Sequence, residues 1–171
     1  MSREITAVPL TAEAFAPFGD VLDTTRGPDF LINAGLCERH HDRAKLDFGG
    51  PDSGGRPALS LFDAVPRALP YGFDLVERHP DGSQAFVPMH AHPFLVIVAP
   101  DQGGQPGQPR AFVTDGAQAI NFHRGTWHGV LTPLAAPGLF AVIDRIGDTP
   151  NLQEFRFPTP WQVVSGRPDP G

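Results

Sequence analysis

Short apolar runs separated by turn residues fill most of the chain beyond residue 57. The runs are rich in Val, Ile and Phe and are bounded by Gly, Pro or Asp, as strands are. No stretch between them leaves room for a crossover helix, so the pattern predicts an all-β antiparallel fold closed as a barrel or a two-sheet jelly roll. The predicted strands are residues 58–65, 72–79, 84–92, 94–99, 110–115, 119–123, 129–134 and 139–147.

Outside these runs the pattern predicts little regular structure. Thr11 is a good N-cap, and a short helix is predicted to follow it and to stop before Gly19. Residues 99–109, "APDQGGQPGQP", read as a hairpin extension, because they are too short and too tightly flanked by strands for a domain linker. We therefore expect one domain over residues 1–171, with a loose tail from about residue 165.

Composition narrows the class of protein. The chain has 171 residues, of which 40% are hydrophobic and 19% are charged, with 20 prolines and 19 glycines. A net charge of −6 does not favour a nucleic-acid or anionic-membrane partner. The longest apolar run, residues 94–99, is too short to span a bilayer, and "MSREITAVPL" lacks a signal-peptide core. The one cysteine, Cys37, cannot form an internal disulfide, so a cytoplasmic protein is expected.

Two histidines one residue apart raise the question of a metal. His90 and His92 share a side of an extended chain, together with Gln84, and His128 follows a G-x-x-H turn farther along. Metal-binding cupins supply three imidazoles in this arrangement, which suits Zn, Mn, Fe or Ni. The usual glutamate after the pair is missing, so Gln84, Glu77 or solvent would complete the shell. The alternative is two solvated or hydrogen-bonded histidines at a strand end.

A second polar cluster lies in "INFHRGTWHGV". Asn121 and His123 share a face of a predicted strand, and Gly125 allows a turn after which His128 returns on the next strand. This spacing predicts that His128 reaches a pocket near one mouth of the barrel.

Two further residues are ambiguous from sequence. Asp144 and Arg145 follow an apolar run and face opposite sides, so one of them is expected inside the barrel. A buried Asp144 could orient an imidazole, accept from a urea-like NH₂ group or cap a turn. His79 precedes Pro80 and is predicted to fix that turn.

Five stretches resemble the ureidoglycolate lyase family, also called ureidoglycolate hydrolase, of allantoin catabolism. They occur in family order from about Phe15 to about Gly147: "FAPFGDVL", "INAGLCERHHD", "LVERHPDGSQAFVPM", "FVTDGAQAINFHRGTWHGVL" and "VIDRIG". The resemblance implies a cupin-like β-barrel, commonly a homodimer, that splits (S)-ureidoglycolate into glyoxylate and urea. Family members often carry another residue at position 90 or 92, so a metal triad is not a family signature.

The expected chemistry assigns proton transfers to histidines. Cleavage requires removal of the substrate's hydroxyl proton and delivery of a proton to departing urea, and imidazole suits both tasks near neutral pH. We assign His128 as the base and His123 or a bound water as the acid. If a metal is held by His90, His92 and His128, it would instead lower the hydroxyl's pKa, and His128 would be a ligand. The two versions exclude each other.

Other polar residues are predicted to hold the substrate. Gln84 and Asn121 are expected to bond the ureido group, and Arg78 or Arg124 to attract the carboxylate. Asp144 is expected to orient a histidine or the urea NH₂ group.

Three other functions remain open from the residues alone. A non-catalytic barrel could sense a small ureide or organic acid, and the His90/His92 pair could belong to a metal-dependent isomerase or dioxygenase. A true amidohydrolase would release ammonia rather than urea.

Overall fold

A computed structural model describes residues 2–49 and 53–166 of the chain. Its first elements are β1 Arg3–Pro9, α1 Ala12–Phe15, β2 Gly19–Leu22, β3 Phe30–Ile32, β4 Cys37–Arg39, β5 Arg56–Asp63, β6 Tyr71–Arg78 and β7 Gln84–Pro88. The remaining elements are β8 Phe94–Ala99, β9 Asp101–Gln102, β10 Gln105–Pro106, β11 Arg110–Val113, β12 Ala119–Phe122, β13 Trp127–His128, β14 Thr132–Pro133, β15 Leu139–Ile146 and β16 Gln153–Ser165. The predicted all-β class is confirmed.

The larger sheet closes on itself. Its strand order is β11-β1-β16-β6-β13-β8-β14, and β11 also pairs with β8, which completes a ring of strands. β1 runs parallel to both β11 and β16, so the sheet is mixed and the prediction of a purely antiparallel barrel was wrong in this detail. The reason is that no short hairpin fixes the direction of β1, whose partners lie far along the chain.

The second sheet covers one side of the ring. Its order is β2-β12-β7-β15-β5, and all of its pairings are antiparallel. Two small hairpins, β3–β4 and β9–β10, lie outside both sheets. The second of these confirms the hairpin predicted over residues 99–109, and its turn residues Gly103 and Gly104 both have positive φ, as tight hairpin turns require.

β8 supplies both hydrophobic cores. Phe94, Val96 and Val98 face the second sheet and pack against its buried aromatic and branched side chains, together with Phe15 of α1. The alternate residues Leu95, Ile97 and Ala99 face the other core, to which every strand of the ring contributes. β8 is therefore buried on both faces, which explains why its sequence is an uninterrupted apolar run.

Several predicted boundaries change in the structure. The predicted strand 84–92 ends at Pro88, since proline cannot donate to the ladder, and the chain bends before β8. The predicted strand 129–134 is replaced by the two short strands β13 and β14. The short helix begins after Thr11 as predicted, with the Thr11 hydroxyl accepting from the Ala14 N–H at 3.2 Å. Residues 167–171 of the predicted loose tail lie outside the described residues.

No helix in the described ranges is long and apolar enough to cross a membrane.

Candidate active site

The ends of β6 and β13 bring two imidazoles and a carboxylate together. Glu77 and His128 are paired opposite each other on neighbouring antiparallel strands, so their side chains share a face. His79 lies two residues beyond Glu77. One atom of each of the three residues that could bind a metal ion lies within 4.8 Å of the other two. We call these three residues the His–Glu cluster.

Both imidazoles of the cluster are held by backbone carbonyls. Nδ1 of His128 lies 2.9 Å from the Gly129 carbonyl oxygen, and Nδ1 of His79 lies 2.7 Å from that of Asn151. Because a carbonyl can only accept, Nδ1 carries the proton in each neutral ring and Nε2 presents a lone pair. Both Nε2 atoms are buried, and neither has a hydrogen-bond partner in the described part of the chain.

A glycine turn delivers His128 to this position. Gly125 has a φ of 74° and follows β12, as the sequence predicts for the turn before His128. Its N–H donates to the His79 carbonyl oxygen at 2.9 Å, which ties the turn to the other histidine of the cluster.

Burial controls the charge of the cluster. Burial lowers the pKa of His128 to about 3, although the contact with the Gly129 carbonyl partly opposes this effect. Burial also raises the pKa of the Glu77 carboxyl, and the nearby His79 opposes that effect. His128 is therefore a neutral ring near pH 7, and it stacks on Phe122 at 4.3 Å between ring centroids.

A second polar pair faces the cluster from the other sheet. Gln84 and Asp144 lie opposite each other on β7 and β15, and Gln84 Nε2 donates to Asp144 Oδ2 at 3.3 Å. Gln84 Oε1 and Asp144 Oδ1 are buried and have no partner among the described residues. The pair thus presents two unused acceptor oxygens, which is costly unless a ligand donates to them.

The His–Glu cluster and the Gln84–Asp144 pair form one row of polar side chains between the two sheets. Gln84 is paired with Phe122 on β12, and the Phe122 ring stacks on His128, whose ring centroid lies 5.3 Å from that of His79. A cavity of about 290 Å³ opens at this row, and its lining includes His79, Ser83, Asp144 and Arg145. This volume suits a small polar molecule.

Three of the predicted site residues meet in this row. Gln84, His128 and Asp144 lie close together, and of the three Asp144 is among the residues that line the cavity.

Asn121 and His123 share a face as predicted, but it is the opposite face of the sheet. Ile120 and Phe122 point into the core, so alternation turns Asn121 outward, where its Nδ2 donates to Asp20 Oδ2 at 2.9 Å. His123 Nε2 lies 3.0 Å from Asp20 Oδ1. Burial raises the pKa of the Asp20 carboxyl, but the hydrogen bonds from Asn121 and the Lys45 N–H outweigh it and hold that pKa below its usual value. The structure does not bring these two residues to His128.

Neither predicted carboxylate-binding arginine reaches the row. Arg78 donates to Gln153 Oε1 at 2.7 Å and to Asp101 Oδ1 at 2.8 Å, and its guanidinium lies over the Trp127 ring. Alternation explains this position, because Glu77 points to the row and Arg78 therefore points away. Arg124 Nη2 donates to Asp47 Oδ1.

His90 and His92 lie far from His128. Both are in the bend between β7 and β8, where the His90 ring packs edge-on against Phe140 and His90 Nδ1 accepts from the His92 N–H at 3.2 Å. His128 pairs with Val98, near the other end of β8. The four residue steps from Phe94 to Val98 alone span about 13 Å, so one ion cannot bind all three predicted ligands.

The sequence reasoning did not place His79 in the site, and it considered Glu77 only as a ligand that could complete a metal shell. The available signal was their spacing, because residues i and i+2 of a strand share a face. The sequence predicts only that His79 fixes a turn. Its Nδ1 does donate to the Asn151 carbonyl, but its Nε2 faces the other residues of the cluster.

The His–Glu cluster fits a divalent cation. Two neutral imidazoles and one carboxylate are a common ligand set for Zn, Fe, Ni or Mn ions, and open positions remain for substrate. The bonds from each Nδ1 to a backbone carbonyl orient the free Nε2 atoms, as in known metal sites.

The fold is that of an all-β protein with a closed mixed β-barrel, and a polar cavity lies beside the ends of β6 and β15. The ureidoglycolate lyase family model matches residues 2–164, and this chain belongs to that family. Relatives include the ureidoglycolate lyase of Rhodobacter capsulatus, 60% identical over 91% of this chain and 94% of that protein. That of Chelativorans sp. is 50% identical over 94% and 96%, and ureidoglycolate lyase 1 of Rhizobium meliloti is 42% identical over 99% and 96%. The predicted family is confirmed.

Proposed function

We propose that this protein cleaves ureidoglycolate into glyoxylate and urea by breaking the bond between the hydroxyl-bearing carbon and the ureido nitrogen. The observation that carries the proposal is a row of four buried polar atoms without partners among the described residues. They are the Nε2 atoms of His79 and His128, Gln84 Oε1 and Asp144 Oδ1. The names of its relatives support this substrate.

The Gln84–Asp144 pair fits the ureido group. A ureido group presents several N–H donors on one planar unit, and the pair presents two acceptor oxygens on neighbouring strands. The hydrogen bond between Gln84 and Asp144 fixes which oxygens remain free. Buried acceptors of this kind discriminate strongly against a ligand that lacks the matching donors.

The Glu77–His79 pair is placed to move the proton. As the carbonyl of glyoxylate forms, the hydroxyl proton passes to His79 Nε2, and the electron pair of the breaking bond goes to the ureido nitrogen. His79 Nε2 and Glu77 Oε1 lie 4.0 Å apart, and this pair then returns a proton to the ureido nitrogen to complete urea. This assignment replaces His128 as the base, because its pKa of about 3 makes it a poor proton acceptor near pH 7.

In the metal-assisted version of the mechanism, the ion would bind to the same His–Glu cluster. Glu77, His79 and His128 would hold the ion, in place of the predicted set His90, His92 and His128. When bound, a divalent cation would act as a Lewis acid that lowers the pKa of the substrate hydroxyl. In that case His79 is a ligand and the proton is carried by another group. Turnover after complete chelation separates the two versions.

The activity has a direct test. Purified protein incubated with (S)-ureidoglycolate is expected to release urea and glyoxylate in equal amounts, well above the spontaneous rate. Release of ammonia in place of urea would identify an amidohydrolase. Binding of the ureide without turnover, with or without added Zn, Mn, Fe or Ni, would identify a sensor and contradict the proposal.

We also infer a homodimer formed through the outer face of the second sheet. Leu59 and Leu61 on the edge strand β5 are 73% and 66% exposed, and Met89 just beyond β7 is 53% exposed. Leu61, Ala141 and Val87 lie side by side across β5, β15 and β7, so the exposed apolar residues form one continuous surface. Such surfaces mark protein contacts, and a second copy presents the same surface by symmetry.

A cytoplasmic location and a single functional domain complete the proposal. β1 and β16, from opposite ends of the described chain, pair with each other in the closed ring, which supports one domain. The one cysteine and the acidic net charge support the cytoplasm and argue against nucleic-acid or membrane partners.

A further inference from the structure

A buried arginine at the end of β15 is only partly satisfied. The side chain of Arg145 is 2% exposed; its Nη2 donates to the Ser53 carbonyl oxygen at 3.0 Å. Among the described residues its carboxylate partner is Asp81, whose Oδ2 lies 3.9 Å from Nη1 and also accepts from the Thr149 hydroxyl. Nε and Nη1 have no hydrogen-bond partner among the described residues. Burying a guanidinium is costly unless an anion satisfies it.

Glycines keep the space around this arginine open. A Cβ at Gly82 would lie 2.7 Å from the Arg145 Cβ, and a Cβ at Gly147 would lie 3.0 Å from Nη2. At Gly55 a Cβ would overlap Nε itself. Glycine at these three separate positions therefore leaves the space that the Arg145 side chain occupies. This arrangement indicates that the fold specifically accommodates a buried arginine.

Arg145 also lies on the candidate active site. It lines the same 290 Å³ cavity as Asp144 and His79. Asp144 and Arg145 project from opposite faces of β15, and both line the cavity at the end of that strand, so they approach it from different sides.

We propose that Arg145 binds the carboxylate of a small ureide acid, and so holds ureidoglycolate in the cavity; in this form the inference rests on the proposed function. A guanidinium presents N–H donors in a planar fork that matches a carboxylate, and the hydrogen bonds are charge-assisted. This assigns to Arg145 the role that the sequence gave to Arg78 or Arg124, both of which already have carboxylate partners.

The proposal gives each substituent of the substrate its own contact. Arg145 takes the carboxylate, Gln84 and Asp144 take the ureido group, and the His–Glu cluster takes the hydroxyl. Three different contacts on one tetrahedral carbon distinguish its mirror images. Loss of the Arg145 contact is therefore expected to reduce the preference between ureidoglycolate enantiomers, which a merely structural arginine would not affect.

The first experiment compares Arg145→Gln and Arg145→Lys with Arg124→Gln, a matched loss of one charge on an arginine paired to Asp47. We expect Arg145→Gln to raise KM for ureidoglycolate by about tenfold or more and to reduce enantiomer preference. Arg145→Lys is expected to recover part of the affinity, because it keeps the charge but not the fork. Arg124→Gln is expected to match the wild type. A folded Arg145→Gln variant with wild-type KM and wild-type enantiomer preference would overturn the proposal.

A second experiment needs no variant and separates this proposal from the function. Calorimetry on the wild type compares oxalurate, a stable ureide carboxylate, with oxaluramide, its neutral amide. We expect oxalurate to bind at least about tenfold more tightly. Equal affinities would overturn the proposal even if Arg145→Gln fails to fold. If the wild type releases no urea but binds oxalurate in an Arg145-dependent way, the proposed function fails and the carboxylate site stands.

Discussion

At the scale of single residues, what matters in this site is which nitrogen or oxygen is left free. His128 and His79 each use Nδ1 on a backbone carbonyl, and Gln84 uses its amide nitrogen on Asp144. The sequence predicts Gln84, His128 and Asp144 as site residues, because strand alternation assigns each to a face. It does not show Arg145, because the sequence alone cannot tell which side of a strand faces the cavity at a strand end.

His128 is expected to make the protein sensitive to acid. Its pKa is about 3 in the folded state, below the usual 6.5, so the unfolded chain takes up a proton that the folded chain refuses as pH falls below about 6.5. Between pH 6.5 and 3 the free energy of unfolding should fall by about 1.4 kcal/mol per pH unit from this residue alone. Urea unfolding at several pH values should show that His128→Gln removes this slope. An unchanged slope in His128→Gln would contradict the assignment.

Gln84 and Asn121 give opposite predictions, although the sequence suggests one role for both. Gln84→Leu removes a free acceptor of the site, so KM for ureidoglycolate should rise about tenfold or more. Asn121 is fully buried and bonds Asp20 and the Lys45 carbonyl. Asn121→Leu should therefore destabilise the fold by about 1–3 kcal/mol and leave KM unchanged. Steady-state kinetics and thermal unfolding on both variants test this; the reverse pattern would place the ureido group on the outer face.

At the scale of elements, apolar runs predict strands well and proline-rich polar strands poorly. β8 and β15 are evident from sequence, whereas β16, "QEFRFPTPWQVVS", carries two prolines and many polar residues and shows a register shift between Arg156 and Trp161. β1 also escapes prediction, since its partners β11 and β16 lie more than a hundred residues farther along the chain. Local pattern contains no information on such pairings.

The pairing of β6 with β13 predicts which residues would bind a metal ion. Because this register places Glu77 opposite His128, any cation site should depend on β6 and β13 and not on the bend that follows β7. Titration calorimetry with Ni²⁺, Zn²⁺ and Mn²⁺ should show that His79→Ala removes binding, while the double variant His90→Ala/His92→Ala retains it. Binding lost in the double variant and retained in His79→Ala would restore the histidine pair between β7 and β8 as the ligands.

At the scale of the whole molecule, part of the outer face of the second sheet is exposed in the described residues, beside the edge strand β5. The inner face of the second sheet packs on the ring, while its outer face carries the exposed Leu59, Leu61 and Met89 beside the edge strand β5. A charged side chain on this surface should repel the same charge on the second copy, and removing it from water on dimerisation should cost free energy. Leu61→Glu is thus expected to convert the inferred dimer to monomer in light scattering. Val8→Glu, equally apolar but on β1, should remain dimeric. The candidate site is built from described residues of one chain, so monomeric Leu61→Glu should still release urea, and a loss of activity on dissociation would mean that the partner contributes to the site.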